Sequence, residues 1–339
     1  MAVMENGIAF VGNILVDIVK NIDHYPECGT LVNIRGLSMS VGGCVCNTGM
    51  DLATIDPSIP VRAVGMVGKD DYGTFALNKM AEKGIDVSGV QVSDCVPTSF
   101  TDVMNIPSGE RTFFHMRGAN AEFDPKSVDL NALECDILHA GYILLLDKFD
   151  EQDAEFGTAM ARFLHDAQEK GIKTSIDAVS DSSADYQAKL LPSLKYCNYA
   201  IMNEIEVCAP WGLEPYADGK IQPDVIRKAA MEMAKAGVKE KVIIHSKPMG
   251  FCLDVATGEF TQVPSLKIPG EVIKGSVGAG DAFCAGSLYG IYTGMNDREI
   301  LEFASAAAAC NLFAENSVDG MQNATGVREM MQRFPRQKT

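Results

Sequence analysis

No run of about 18 uncharged apolar residues occurs in this chain of 339 residues, so no membrane-spanning helix is expected. Cations are scarce: 29 Lys and Arg stand against 45 Asp and Glu, a net charge of −16. That balance argues against nucleic acid as a partner, because a phosphate backbone rewards clustered Lys and Arg. An anionic substrate must then be held by a local device. The ten cysteines include no C-x-x-C pair, and several fall inside expected strands or helices, which fits a reducing cytosol better than a disulfide scaffold. The first residues carry Glu5 and no basic region ahead of an apolar segment, so no secretory signal is expected and the cytoplasm is the expected location. Internal repeats and low-complexity linkers are missing too. What is present, 47% hydrophobic and 22% charged residues, suffices for one large core with a small appendage.

Short apolar runs alternate with helical spacing along most of the chain. Residues 8–12 read as a buried parallel strand closed by Gly12. The loop after it carries Asn13 and Asp17, at the carboxyl end of a strand where α/β proteins place ligands, although a turn aspartate is the plain alternative. Strand 61–68 leads to helix 72–83, stopped at Gly84. Further on come strand 137–141, helix 151–170, strand 174–179, helix 184–195, strand 199–202, helix 223–236, a hairpin of 241–245 with 250–255, and helices 282–292 and 298–313. This order predicts a doubly wound, mostly parallel sheet flanked by helices.

Two β-rich stretches interrupt the alternation. Residues 18–40 alternate as antiparallel strand, and 87–92, 99–106 and 111–116 read as a meander with a turn at Pro107-Ser108-Gly109-Glu110. The expectation is one small sheet, 18–40 with 87–117, acting as a lid on a main domain of 1–17, 41–86 and 118–339. Val32, Ile34, Val103 and Phe113 on an exposed face would make it sticky and predict a homodimer through the lid.

Three stretches carry candidate chemistry. Gly278, Ala279 and Gly280 precede an apolar helix, and free first-turn amides together with the helix dipole suit an anion. Asp281 beside them is either a capping residue or a base that takes a proton from an attacking hydroxyl. Gly42 and Gly43 precede another helix with Asn47 about one turn in, which permits close backbone approach to a ligand. Cys44 and Cys46 invite a metal reading, but no second pair follows at ligand spacing, so they read as small buried hydrophobes. Asn203-Glu204-Ile205-Glu206 ends a strand and suits either a hydrated Mg2+ or a helix first turn enriched in acid. Arg117 leaves the lid segment and would either grip an anionic substrate or pair with Glu122 or Asp124.

Gly42-Gly43-x-x-x-Asn47 and Gly278-Ala279-Gly280-Asp281, in that order with Asn203-x-x-Glu206 between them, resemble the ribokinase-like (PfkB) carbohydrate kinase family over almost the whole chain. The resemblance implies a ribokinase-like α/β fold with Asp281 as catalytic base and Gly278, Ala279 and Gly280 as the anion hole. It implies that Asp17, Gly43 and Asn47 hold sugar hydroxyls, with Asn13, Gly42 and Arg117 as further substrate candidates. Asn203 and Glu206 match the motif that organises Mg2+ and phosphate through water. His245, Lys247, Gly250 and Ser276 join Gly278 and Gly280 as nucleotide candidates, Lys247 standing where a glycine is common. Gly275-Ser276-Val277 replaces the family's frequent Asp-Thr-Thr, which puts a K+ site in doubt. Cys44 replaces the lysine of ribokinases proper, and Asp177-Ala178-Val179-Ser180-Asp181 lacks the arginine of many fructokinase-like members. The implied activity is ATP-dependent phosphorylation of a primary hydroxyl of a small fructose- or ribose-like sugar or sugar derivative. The alternative is an adenosine-like nucleoside kinase, whose base Phe100, Phe113 and Phe114 would suit. A sugar-binding regulator without catalysis is disfavoured by the retained Asp281.

Overall fold

The first strand, β1 (Ile8–Gly12), is buried along its whole length and runs parallel to a neighbour on either side, as an unbroken apolar run requires. Those neighbours are β4 (Val61–Gly68) and β8 (Ile137–Ile143). The computed structural model describes residues 4–108, 110–179 and 185–338. Gly109 of the expected turn, Ser180 and Asp181, and the start of the expected helix at 184 lie outside the described residues.

From β8 the sheet continues through β11 (Lys173–Ala178), β12 (Tyr199–Asn203) and β15 (Lys241–His245), all parallel. β16 (Met249–Asp254) and β17 (Phe260–Pro264) finish that edge antiparallel. The other edge is β5 (Asp86–Ser93) on β4, for nine strands in the order β17-β16-β15-β12-β11-β8-β1-β4-β5. Helices cover both faces. α1 (Cys44–Ile55), α2 (Asp71–Glu82), α9 (Ala279–Tyr292), α10 (Asp297–Asn311) and α11 (Ala324–Arg333) bury one face with Leu52, Met80, Leu288, Phe303 and Val327. α4 (Ala159–Glu169) and α8 (Pro223–Ala236) bury the other with Phe163, Leu164, Ile226 and Met233. Among the described residues, no helix is long and apolar enough to cross a membrane.

A second sheet has the order β3-β2-β6-β7, from β2 (Leu15–Ile22), β3 (Ile34–Gly42), β6 (Ser99–Asn105) and β7 (Arg111–Met116). It is mixed, since β2 and β6 run parallel while the outer pairs are antiparallel. Residues 87–92, expected in this small sheet, instead pair parallel with β4 in the large one. α2 supplies the crossover that a parallel pair needs. Val103, expected on the exposed face, is buried, whereas Ile34 and Phe113 are exposed as expected.

The helix expected from 151 starts only at Ala159. Gly157 takes φ +90°, Thr158 accepts the Ala161 amide as N-cap, and the residues before them form a short hairpin, β9–β10 (Gln152–Asp153 with Gly157–Thr158). Glycine and a capping threonine favour that stop over helix interior. The helix expected over 184–195 is two single turns, α5 (Tyr186–Lys189) and α6 (Leu191–Leu194), the second opened by Pro192. Short elements complete the chain: α3 (Gly118–Glu122), α7 (Glu204–Cys208) and the hairpin β13–β14 (Tyr216–Ala217 with Lys220–Ile221).

α1 buries one carboxylate completely. Asp51 has 0% exposure and neither oxygen has a partner among the described residues; burial first, then the charge of Asp281, raises its pKa well above the ordinary value. A carboxyl held protonated by the fold costs stability as pH rises above its unfolded value. Asp51→Asn keeps the shape without the ionisable proton, so it should remove the loss of stability that the native chain shows between about pH 4 and pH 8 in urea unfolding, and be the more stable of the two at about pH 8. A variant less stable than the native chain at that pH would mean that the carboxylate has a partner after all.

Candidate active site

α9 starts at Gly278, whose φ of +80° is left-handed. A Cβ there would lie 2.5 Å from Cβ and 2.7 Å from the backbone of Ser317, so both conformation and space demand glycine. Gly278 and Gly280 bring bare backbone to the cavity wall at this helix start, as an anion site requires, while the Ala279 amide donates to Ser276 O at 3.4 Å. Asp281 follows within that turn and points inward, 7% exposed. Its partners come from distant segments. Asn47 Nδ2 of α1 donates to Oδ2 at 3.0 Å, Thr48 Oγ1 donates to Oδ1 at 3.4 Å, and Tyr142 OH lies 2.9 Å from both oxygens. Asn47 is itself fixed by Ser317, whose Oγ donates to Asn47 Oδ1 at 2.7 Å.

Burial, then the charge of Asp177, pushes Asp281 up to about 6, while the bonds from Asn47, Tyr142 and Thr48 pull it down. The result is a carboxyl ionised at neutral pH yet more basic than an exposed aspartate, which suits a general base. Tyr142 reaches it from the end of β8 with φ +60°, a left-handed conformation that costs a non-glycine residue roughly 1–2 kcal/mol. Its own amide donates to Asp177 Oδ1 at 2.5 Å, which holds the strained turn in place.

Asp281 faces a cavity of about 300 Å³ lined also by Gly278, Gly280, Asp177, Glu206 and His245. A second cavity of about 550 Å³ shares His245 and Gly280 and is lined by Lys247, Ser276, Ala279 and apolar residues such as Leu266 and Phe283. The expected nucleotide residues thus gather around one wall, except Gly250, which lies in β16 against Phe283 and Leu301, outside both cavities. Burial lowers His245 to about 4, so it is neutral and available to donate or accept a hydrogen bond. Asn203 and Glu206 line the inner cavity and also form a reciprocal capping box on α7: Asn203 N donates to Glu206 Oε2 at 3.0 Å, and Glu206 N donates to Asn203 Oδ1 at 2.9 Å. The helix-capping reading of that motif therefore holds. Glu206 and Asp177 are the kind of oxygen donors a hydrated Mg2+ takes.

The other candidates meet at the start of α1. Gly43 has φ +87°, and a Cβ there would lie 2.3 Å from the Asn13 carbonyl, which accepts the Val45 amide at 3.3 Å. A Cβ at Gly42 would lie 2.5 Å from Asp17 Oδ2. Burial raises Asp17 to about 6, offset by a bond from Thr101. Cys46 sits within electrostatic reach of both Asp17 and Asp281, which ties this group to the base. Asn13 and Asn120 are buried there with Nδ2 groups that have no partner among the described residues.

Arg117 stands apart. It pairs with Asp147 at 2.6 Å, rather than with Glu122 or Asp124, and both side chains are more than 40% exposed. An exposed pair contributes little, about 0–1 kcal/mol. Arg117→Gln should therefore change KM for acceptor and for ATP equally and less than about threefold; a selective rise for the acceptor, by the roughly 1.5–3 kcal/mol of a bond to a charged group, would restore it as a substrate contact. Tyr142, Thr48, Asp177 and Ser317 were not anticipated from sequence. Tyr142 and Asp177 do end parallel strands, the same signal that marked Asn13.

A buried carboxyl on the first turn of a helix that opens with bare backbone, at the carboxyl ends of a doubly wound sheet, is an arrangement that suits phosphoryl transfer to a hydroxyl. Residues 6–324 match the pfkB family of carbohydrate kinases, and the chain belongs to that family. It is 23% identical to the ribokinase of Arabidopsis thaliana over 326 residues, 96% of this chain and 80% of that protein. It is 26% identical to the ATP-dependent ribose-1-phosphate kinase of Halopiger xanaduensis over 166 residues, 49% of this chain and 52% of that protein. The solved structure of Arabidopsis thaliana ribokinase complexed with ribose and ATP superposes with TM-score 0.82 at 19% identity, over 98% of this chain and all of that one (100%). The fold is that of ribokinase.

Proposed function

We propose that this kinase transfers the γ-phosphoryl group of ATP to a primary hydroxyl of a small neutral sugar or sugar derivative, with Asp281 as general base. The observation that carries the reading is Asp281 itself, buried among Asn47, Thr48 and Tyr142 beside the amides that open α9. The acceptor hydroxyl donates to Asp281 and passes its proton there as the oxygen attacks phosphorus, while the amides after Gly278 stabilise charge on the transferred group. Asn13, Asp17, Gly42, Gly43 and Asn47 form the sugar side, and the amides of Asn13 and Asn120, without a partner among the described residues, are donors for sugar hydroxyls. His245, Lys247, Ser276 and Asn203 form the nucleotide side. Mg2+ held through water by Glu206, with Asp177 beside it, would neutralise phosphate charge.

A neutral acceptor fits the proposed sugar side, since Asn13, Asp17, Gly42, Gly43 and Asn47 offer amides, a carboxylate and bare backbone but no cation. ADP release across neutral sugars, sugar acids, sugar phosphates and nucleosides tests the reading. A neutral sugar should give the highest kcat/KM; a tenfold preference for a nucleoside or a sugar phosphate would replace it. The cytoplasm remains the proposed location, supported by ten cysteines that are all free thiols.

The small sheet is proposed to close over the sugar, excluding water that would otherwise take the phosphoryl group. Amide exchange in 15–22 and 99–105 should slow when acceptor is added. Leu37, Met39 and Phe114 are exposed on one face of this sheet, and a homodimer through that face would cover them. Light scattering showing a monomer at micromolar concentration removes the dimer.

A further inference from the structure

Behind Asp281 lies a group of side chains of which phosphoryl transfer, as proposed above, uses only Asp177. His139 of β8, Asp177 of β11 and Cys284 of α9 are buried, and one ligating atom of each lies within 4.8 Å of the others. His139 Nε2 is 3.6 Å from Asp177 Oδ2 and 3.7 Å from Cys284 Sγ. Four-coordinate zinc, with ligands at about 2.0–2.3 Å, sets its ligand atoms roughly 3.3–3.6 Å apart, so the two separations from His139 need only tenths of an ångström of adjustment, while Asp177 and Cys284, within 4.8 Å of each other, need up to about an ångström. The other ring nitrogen, His139 Nδ1, is 2.9 Å from Ser175 Oγ, the outer contact that fixes the ring of a ligating histidine. Asp177 uses Oδ1 for the Tyr142 amide, which leaves Oδ2 facing the histidine. Asp177 and Cys284 also line the inner cavity, which provides a route in and room for a water as fourth ligand.

We propose that His139, Asp177 and Cys284 form a site for a borderline-soft divalent ion of the zinc type, and that its occupancy shuts off the kinase. Binding takes Cys284 as thiolate: the S–H bond gives its electron pair to sulfur, sulfur coordinates the metal, and the proton leaves to solvent through the cavity, with no change of oxidation state. Mg2+ demands oxygen ligands and octahedral geometry, so it takes none of the three but Asp177, and a zinc-type ion held there draws that carboxylate away from it. The ion would stand at the wall of the cavity that Asp281 also lines, in the way of the reacting groups; its charge also offsets that of Asp177, which after burial helps to keep Asp281 basic. This inhibitory consequence rests on the proposed role of Asp281, whereas the binding does not.

The test uses Co2+ as probe in a Cys28→Ser/Cys95→Ser background, which removes the exposed thiols. One equivalent should produce thiolate-to-cobalt charge transfer with tetrahedral ligand-field bands, displaced by one equivalent of Zn2+. Cys284→Ser and His139→Gln should each abolish the charge transfer, and Cys310→Ser, buried in α10, should retain it. Absence of the band in the folded background protein overturns the site whether or not the variants fold, and so does its persistence in Cys284→Ser. Zn2+ at one equivalent should then lower turnover at least tenfold. Unchanged turnover with the band present overturns the inhibition alone, and a protein that binds cobalt yet phosphorylates nothing counts against the kinase reading, not the site.

Discussion

Asp281→Asn is expected to bind acceptor and ATP normally while turnover falls by about 10²–10⁴-fold, the usual scale of a lost general base. The amide keeps the shape that Asn47 and Tyr142 grip but cannot take the proton. Some activity should survive, because positioning and charge stabilisation carry much of phosphoryl transfer. Since burial holds Asp281 at about 6, kcat of the native enzyme should climb as pH rises through about 6 and then level, the ionised carboxylate being the working form. The variant should lose that limb. Stability moves oppositely: a carboxyl raised in the folded state binds its proton more tightly there, so the native chain loses stability as pH rises from about 4 to about 6. Denaturant melts should show the variant level with the native chain below that window and more stable above it. A drop in turnover under tenfold would remove Asp281 from the base role.

Gly278→Ala should be nearly as damaging by another route. The methyl would sit 2.5 Å from Ser317 Cβ on a residue at φ +80°, so the start of α9 must shift and its amides lose their aim. Loss of an oxyanion-type donor costs about 10²–10³ in kcat. The left-handed conformation alone should remove about 1–2 kcal/mol of stability, visible in the same melts. Gly280→Ala is the control, because its Cβ would meet only the His245 ring at 3.1 Å, and its effect should be several-fold smaller. Similar kcat in Gly278→Ala and the native enzyme would show that the anion is held elsewhere.

The elements that the sequence made legible are those with local causes. Apolar runs marked β1 and β15, and Pro223 with Gly237 framed α8 to the residue. Small residues marked the region where α9 starts, but the helix expected from 282 begins at Ala279 and takes in two of them, because Gly278 is its left-handed cap. The surroundings of Asp281 left no such trace: Asn47 and Tyr142 lie 234 and 139 residues away, and no spacing rule connects them. Its raised pKa is a product of burial and of Asp177, which only packing supplies. β5 was misplaced because a short half-buried strand reads alike in either sheet, and only the crossover through α2 decides. The overrun of α4 came from reading helical spacing through Gly157 and Thr158, where turn chemistry prevails.

The bond from Ser317 to Asn47 spans 270 residues, and it also governs when the enzyme comes into being. During synthesis, β1 emerges first yet belongs in the middle of the large sheet, so strands must be added to it on both flanks as they appear. The carboxylate, the asparagine that grips it and the serine that steadies that asparagine can meet only after nearly all of the chain has left the ribosome. Contacts of such long range slow folding, and they leave the nascent kinase unable to transfer phosphate before its architecture closes.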